Sequence, residues 1–145
     1  MRDKPNIIIG NKAERFVAEE LAKKGAIVHD LRSPNGSQPY DQIAITKDFV
    51  FCYDVKHCSN DRFDFYRVEN NQQSALTYVH SLNNDSVVAG FVLVYNDGEG
   101  YDLYFLSMYQ YEMFLAEERK STKVSILPKL LEVVKWKINL KNYTK

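Results

Sequence analysis

Two short apolar arms joined by a charged turn constrain this chain more than any other feature. Pro39-Tyr40-Asp41-Gln-Ile-Ala-Ile-Thr46 leads to Lys47-Asp48, and Phe49-Val-Phe-Cys-Tyr-Asp54-Val55-Lys56 returns. Arms this apolar and aromatic, flanking so short a polar turn, predict a β-hairpin. Side chains alternate faces along a strand, so Asp54 and Lys56 share one face while Val55 points to the other. Asp41 opens the first arm and Asp54 lies near the end of the second, which antiparallel pairing brings together. One end of the hairpin then carries two carboxylates and a lysine. Carboxylate oxygens are hard ligands suited to Mg²⁺, and a lysine beside such a cation can orient a water or offset phosphate charge. The same charges also suit the solvated end of an ordinary surface hairpin.

The 145 residues, 45% of them hydrophobic, are enough for one globular domain with its own core. No apolar run reaches the length of a membrane span, and Met1-Arg-Asp-Lys-Pro5 lacks a signal-peptide pattern, so a cytoplasmic protein is expected. Cys52 and Cys58 are the only cysteines, one in an apolar strand and one just past Lys56. No disulfide framework is expected from them, and a zinc site would lack its fourth ligand.

Net charge is zero but unevenly spread. Residues 61–118 hold two Lys/Arg against ten Asp/Glu, whereas from Arg119 to Lys145 eight basic residues face only Glu132. A basic tail of this kind is the footprint of a phosphate-backbone contact, and Lys135, Lys137 and Lys141 are the candidates; a solvated helix would look the same.

Around the hairpin, Asn6–Gly10 is expected to lead into a helix over 11–24. Its apolar stripe is Ala13, Phe16, Val17 and Leu21, and Gly25 stops it. Glu14 projects to the border of that stripe, where it is either a site acid or an acid favoured near a helix N-terminus. Ala26–His29 reads as a strand, and Asp30–Pro39 as an exposed loop whose Arg32, Ser33 and Ser37 suit either a phosphate or a plain turn. Phe63–Phe65 is a candidate edge segment, Val68–Leu82 a helix containing Gln72, and Ser86–Tyr95 the central strand. Asn96–Gly100 turns into a strand over 101–106, Ser107 caps a helix to Glu118, and a last helix lies near 128–136. The order α-β-β-β-α-β-β-α predicts an α+β sandwich with a mixed central sheet flanked by helices.

Gly10-x-x-Ala-Glu14-Arg-Phe-Val, Gly25-Ala-Ile-Val, Arg32-Ser33, Gly36-Ser37, Tyr40-Asp41 and Asp54-Val-Lys56 together resemble the motif series of PD-(D/E)XK nucleases. The N-terminal half is similar to archaeal-type Holliday-junction resolvases. Phe63-x-Phe65, Asn71-Gln72, Gly90-Phe-Val-Leu-Val and Tyr101-x-x-Tyr-Phe-Leu resemble the RecU-type resolvases of bacteria and phages. The resemblance spans roughly residues 8–126. It departs from the pattern in three ways: Tyr40 splits the Pro-Asp pair, Asp54 replaces the commoner glutamate, and residues 31–40 leave no room for the long stalk of RecU-type enzymes.

The resemblance implies a restriction-endonuclease-like fold with core order αβββαβ, occupying residues 1–145 as a single domain with a basic extension from about residue 119. It implies Glu14, Asp41, Asp54, Lys56 and Gln72 as catalytic residues. Glu14, Asp41, Asp54 and the Val55 carbonyl would be ligands to Mg²⁺, with Mn²⁺ as a substitute. The expected activity is divalent-metal-dependent DNA endonuclease, resolvase-like, acting as a homodimer on branched or four-way-junction DNA in recombination or repair, of phage or mobile-element type. A restriction or repair endonuclease of the same fold is the alternative, and a non-catalytic nucleic-acid-binding module the second.

Overall fold

A computed structural model of the chain describes residues 4–31 and 38–135. α1 (Lys4–Lys23) carries Ala13, Val17 and Leu21 on one buried stripe at four-residue spacing. It ends in a Schellman motif: Gly25 adopts φ 95°, its N–H donates to Ala22 O, and Ala26 N–H donates to Leu21 O. The helix begins a full turn and more before the expected entry at Asn11. Pro5 is tolerated in a first turn, where its missing N–H has no intrahelical role, and Gly10 lowers helix propensity without breaking the helix.

The central sheet has the order β1-β2-β3-β5-β6, from β1 (Ile27–Asp30), β2 (Gln42–Ile45), β3 (Val50–Cys58), β5 (Val87–Asn96) and β6 (Tyr101–Ser107). All neighbours are antiparallel except β3 and β5, which run parallel from Val50↔Val87 to Cys58↔Tyr95. That parallel pair is buried on both faces, which is why each strand reads as a nearly unbroken apolar run. Phe51, Tyr53 and Val55 of β3, Val88, Val92 and Val94 of β5, and Leu103 and Phe105 of β6 meet α1. Cys52 and Cys58, Ala89, Phe91 and Leu93, and Tyr104 and Leu106 face the opposite core. This second core is closed by α2 (Asn70–Ser81) through Leu76 and by α3 (Met108–Ala116) through Met108, Tyr111 and Phe114. Ser107 caps α3 as expected, its Oγ accepting the Gln110 N–H at 3.1 Å. Both cysteines are buried free thiols.

β4 (Phe63–Asp64) and a 3₁₀ turn (Phe65–Arg67) sit outside the main sheet, and β4 pairs with β7 (Ser121–Thr122). A two-residue strand has no readable periodicity, so β7 was not expected. The segment after Arg119 is accordingly folded in as far as it is described. Val124 and Leu127 join the α2–α3 core, while Leu130 and Val133 of α4 (Leu130–Lys135) join the α1 core. Two of its basic groups are engaged in the fold: the Arg119 guanidinium lies 4.1 Å from the Phe114 ring centroid, and Lys129 Nζ is 3.0 Å from Asp102 Oδ2. Among the described residues no helix is long and apolar enough to cross a membrane.

Candidate active site

The expected hairpin forms, and its register decides the site. Gln42 pairs with Tyr53, so Asp41 stands opposite Asp54. Asp41 continues the ladder by one step on each side, its N–H donating to Tyr53 O at 3.1 Å and its carbonyl accepting Leu31 N–H at 2.9 Å. Directly opposed side chains of an antiparallel pair share a face and approach closely. Both are buried, Asp41 at 8% exposure and Asp54 at 1%.

The two carboxylates are held differently. Asp41 Oδ2 accepts the Val55 N–H at 2.7 Å. Among the described residues no donor hydrogen-bonds either oxygen of Asp54. Lys56 Nζ stands 3.1 Å from Asp54 Oδ2, an ion-pair distance without hydrogen-bond alignment. Burial, then the Asp41 charge, push the Asp54 carboxyl up to about 8, against the opposing pull of Lys56. Lys56 donates to Gln72 Oε1 at 3.1 Å, which joins β3 to the first turn of α2. The N–H and C=O of a strand residue point to the same side, so the Val55 carbonyl also faces the side of Asp41, beyond the last β2 residue that pairs with β3.

A buried carboxylate without hydrogen-bond donors, a second carboxylate beside it and a carbonyl aimed to the same side form a hard-oxygen donor set that fits a divalent cation. Glu14 approaches from the other face of the sheet. Its backbone carbonyl accepts from Gln42 Nε2 at 3.0 Å, and Gln42 Oε1 accepts from the Tyr53 hydroxyl at 2.7 Å. Burial raises the Tyr53 phenol well above its ordinary value, and the charges of Asp41, Asp30 and Glu14 add to it. They do not converge on one point: among the described residues no three His, Cys, Asp or Glu side chains form a group able to hold a metal. The structure thus joins Asp41, Asp54, Val55, Lys56 and Gln72, with Glu14 set apart on the α1 side.

Sequence reasoning passed over Asp30, which ends β1 opposite Gln42, and the buried Gln42–Tyr53 bond that ties α1 to the hairpin. The signal for Gln42 was a polar residue at a position whose alternation points it inward. Arg32, Ser33, Ser37, Lys137 and Lys141 lie outside the described residues, and Lys135 is the last residue of α4.

The family described as NERD, nuclease-related domain, matches residues 9–93, a span that includes every member of the site. The Holliday junction resolvase Hjc of the archaeal hyperthermophile Archaeoglobus fulgidus is similar in structure. Its TM-score is 0.61 at 14% sequence identity, over 87% of this chain and 95% of that one. None of the curated proteins matches in sequence.

Proposed function

Since this chain belongs to the nuclease-related domain family and shares the fold of an archaeal junction resolvase, we propose that it is a divalent-metal-dependent DNA endonuclease. The observation that carries the reading is Asp54, a buried carboxylate with no hydrogen-bond donor among the described residues, set between Asp41 and Lys56. Asp41, Asp54 and the Val55 carbonyl would hold Mg²⁺, or Mn²⁺ in its place. When bound there, such a cation supplies Lewis-acid stabilisation of the scissile phosphate and acidifies a water.

The protein groups have separate tasks. Asp54 would hold a cation as the ionised carboxylate, and Asp41 is anchored on the Val55 N–H. Lys56, held by Gln72, presents its ammonium group where it can orient the attacking water and offset charge growing on the phosphate. Glu14 adds negative charge from the α1 side. The loop residues Arg32, Ser33 and Ser37, with Lys135, Lys137 and Lys141, would contact the DNA backbone. A resolvase-like preference for four-way junctions follows the structural likeness, and a restriction or repair activity is the rival.

Cleavage of duplex, single-stranded and four-way-junction DNA, with Mg²⁺ and with Ca²⁺, tests this. The wild type should cut only with Mg²⁺. Asp41→Asn should abolish detectable cutting, and Lys56→Ala should slow it by about 10²–10³. Gel-shift affinity should survive both changes. Equal cutting by Asp41→Asn, or none by the wild type, overturns the reading, and the substrate panel separates junction resolution from the rival.

A further inference from the structure

We propose that Gln72 is a positioning residue whose orientation is imposed by the backbone N–H of Glu69, so that the N-cap of α2 sets the place of Lys56; the inference rests on the nuclease reading above. Gln72 is the N3 residue of α2 and Glu69 its N-cap. In such a turn the N3 side chain reaches back to the N-cap backbone, normally for the sake of the helix alone. Here Gln72 Oε1 accepts two hydrogen bonds, each 3.1 Å long, from Glu69 N–H and from Lys56 Nζ.

An amide oxygen has two lone pairs, and both are engaged. A flipped amide would turn its NH₂ against two donors, so the Glu69 N–H fixes which end faces Lys56. Lys56 then lies between Gln72 Oε1 and Asp54 Oδ2, each at 3.1 Å, and its side chain is 13% exposed. A four-carbon stem with a rotating ammonium group is otherwise poorly localised, and one fixed acceptor, Gln72 Oε1, with the Asp54 carboxyl at ion-pair distance removes that freedom. The same helical turn also reaches the segment leading to Asp41, since Asn71 Nδ2 donates to Gln38 O at 3.4 Å. One helical turn therefore holds both the lysine and the segment that carries Asp41.

The geometry at Glu69 allows a clean test. Its φ of −78° and ψ of 153° match those of proline, and Val68 at φ −82°, ψ 119° has the extended conformation required before a proline. Glu69→Pro therefore removes the donor without straining the chain, whereas Glu69→Ala keeps the donor; both lack the side chain that accepts the Gln72 backbone N–H, so the pair differs in the Glu69 N–H. Glu69→Pro should cut about tenfold more slowly than Glu69→Ala at unchanged DNA affinity, since misplacing a reacting group is costly. In a Gln72→Met background the two should cut alike.

Lys56 itself supplies a readout independent of cutting. Under a limiting pulse of acetic anhydride, followed by mass spectrometry, Lys56 should be acetylated several-fold faster in Glu69→Pro than in Glu69→Ala, and several-fold faster in Gln72→Met than in the wild type. Equal acetylation of Lys56 in Glu69→Pro and Glu69→Ala overturns the proposal. So does an unchanged rate in Gln72→Met, which decides the matter should the proline variant not fold. A wild type that fails to cut yet shows the expected acetylation pattern would refute the nuclease reading and leave the positioning role standing.

Discussion

Asp54 is the residue on which the candidate site and the stability of the fold meet. Its carboxyl is raised to about 8, first by burial and then by Asp41, from an ordinary value of 3.8. Between those values the folded chain, free of divalent cation, holds a proton that the unfolded chain has released. The stabilisation is thus complete below the lower value and lost as pH rises through the upper one. Urea midpoints measured in chelator should fall from about pH 5 to about pH 9. Asp54→Asn is neutral throughout and its amide can donate to Asp41. It should flatten that profile and be more stable than the wild type by about 1–3 kcal/mol at the alkaline end. Mg²⁺ should stabilise the wild type at high pH and leave the variant unmoved; a wild-type profile as flat as the variant's would show that Asp54 is ionised without a cation.

Elements in this fold differ in how much room they leave a new atom, and two glycines show it with opposite sign. At Gly90, where β5 runs beside β6, a Cβ would lie 2.5 Å from Leu106 O and 2.8 Å from the Phe105 ring. Backbone of the central sheet would have to move, so Gly90→Ala should cost about 1–3 kcal/mol, as overpacking does. At Gly10, inside α1, a Cβ would meet nothing within 4 Å. Gly10→Ala should therefore gain up to about 1 kcal/mol from helix propensity. Urea unfolding of both variants checks the pair, and a destabilised Gly10→Ala would mean that the helix is not formed at that residue. Ser107→Ala, by removing the cap on α3, should cost about 1 kcal/mol.

For the whole molecule, charge and assembly carry the expectations. If the basic C-terminal segment tracks a DNA backbone, replacing Lys135, Lys137 and Lys141 by Ala should make log K against log salt shallower by about one unit for each phosphate no longer neutralised. An unchanged slope would assign those lysines to solvent. If the chain resolves junctions by two symmetric cuts, two subunits are called for, and sedimentation should give twice the 16.9 kDa of one chain. A clean monomer with full cleavage would refute paired cutting. The apolar strand pair over residues 86–106 fills the two cores, with Phe91, Val92, Leu93 and Leu106 fully buried.

The sequence by itself determined the hairpin, its acid pair and its lysine, because strand alternation has a period of two and a short turn leaves little choice of register. Asp54 and Lys56 could be placed on one face, and Asp41 at the same end of the hairpin, from that alone. It also determined the stop of α1 at Gly25 and the cap of α3 at Ser107, since both rest on the conformational preferences of single residues. Contacts distant in sequence were decided by the tertiary structure alone. Whether β3 lies parallel to β5, and that residues 121–122 pair with residues 63–64, depends on competition between strands that no local pattern encodes. The bond from Lys56 to Gln72 arises only because α2 packs its first turn against the end of β3. The face on which α1 and its Glu14 lie has the same origin: a helical projection cannot say which side of a sheet a helix will cover.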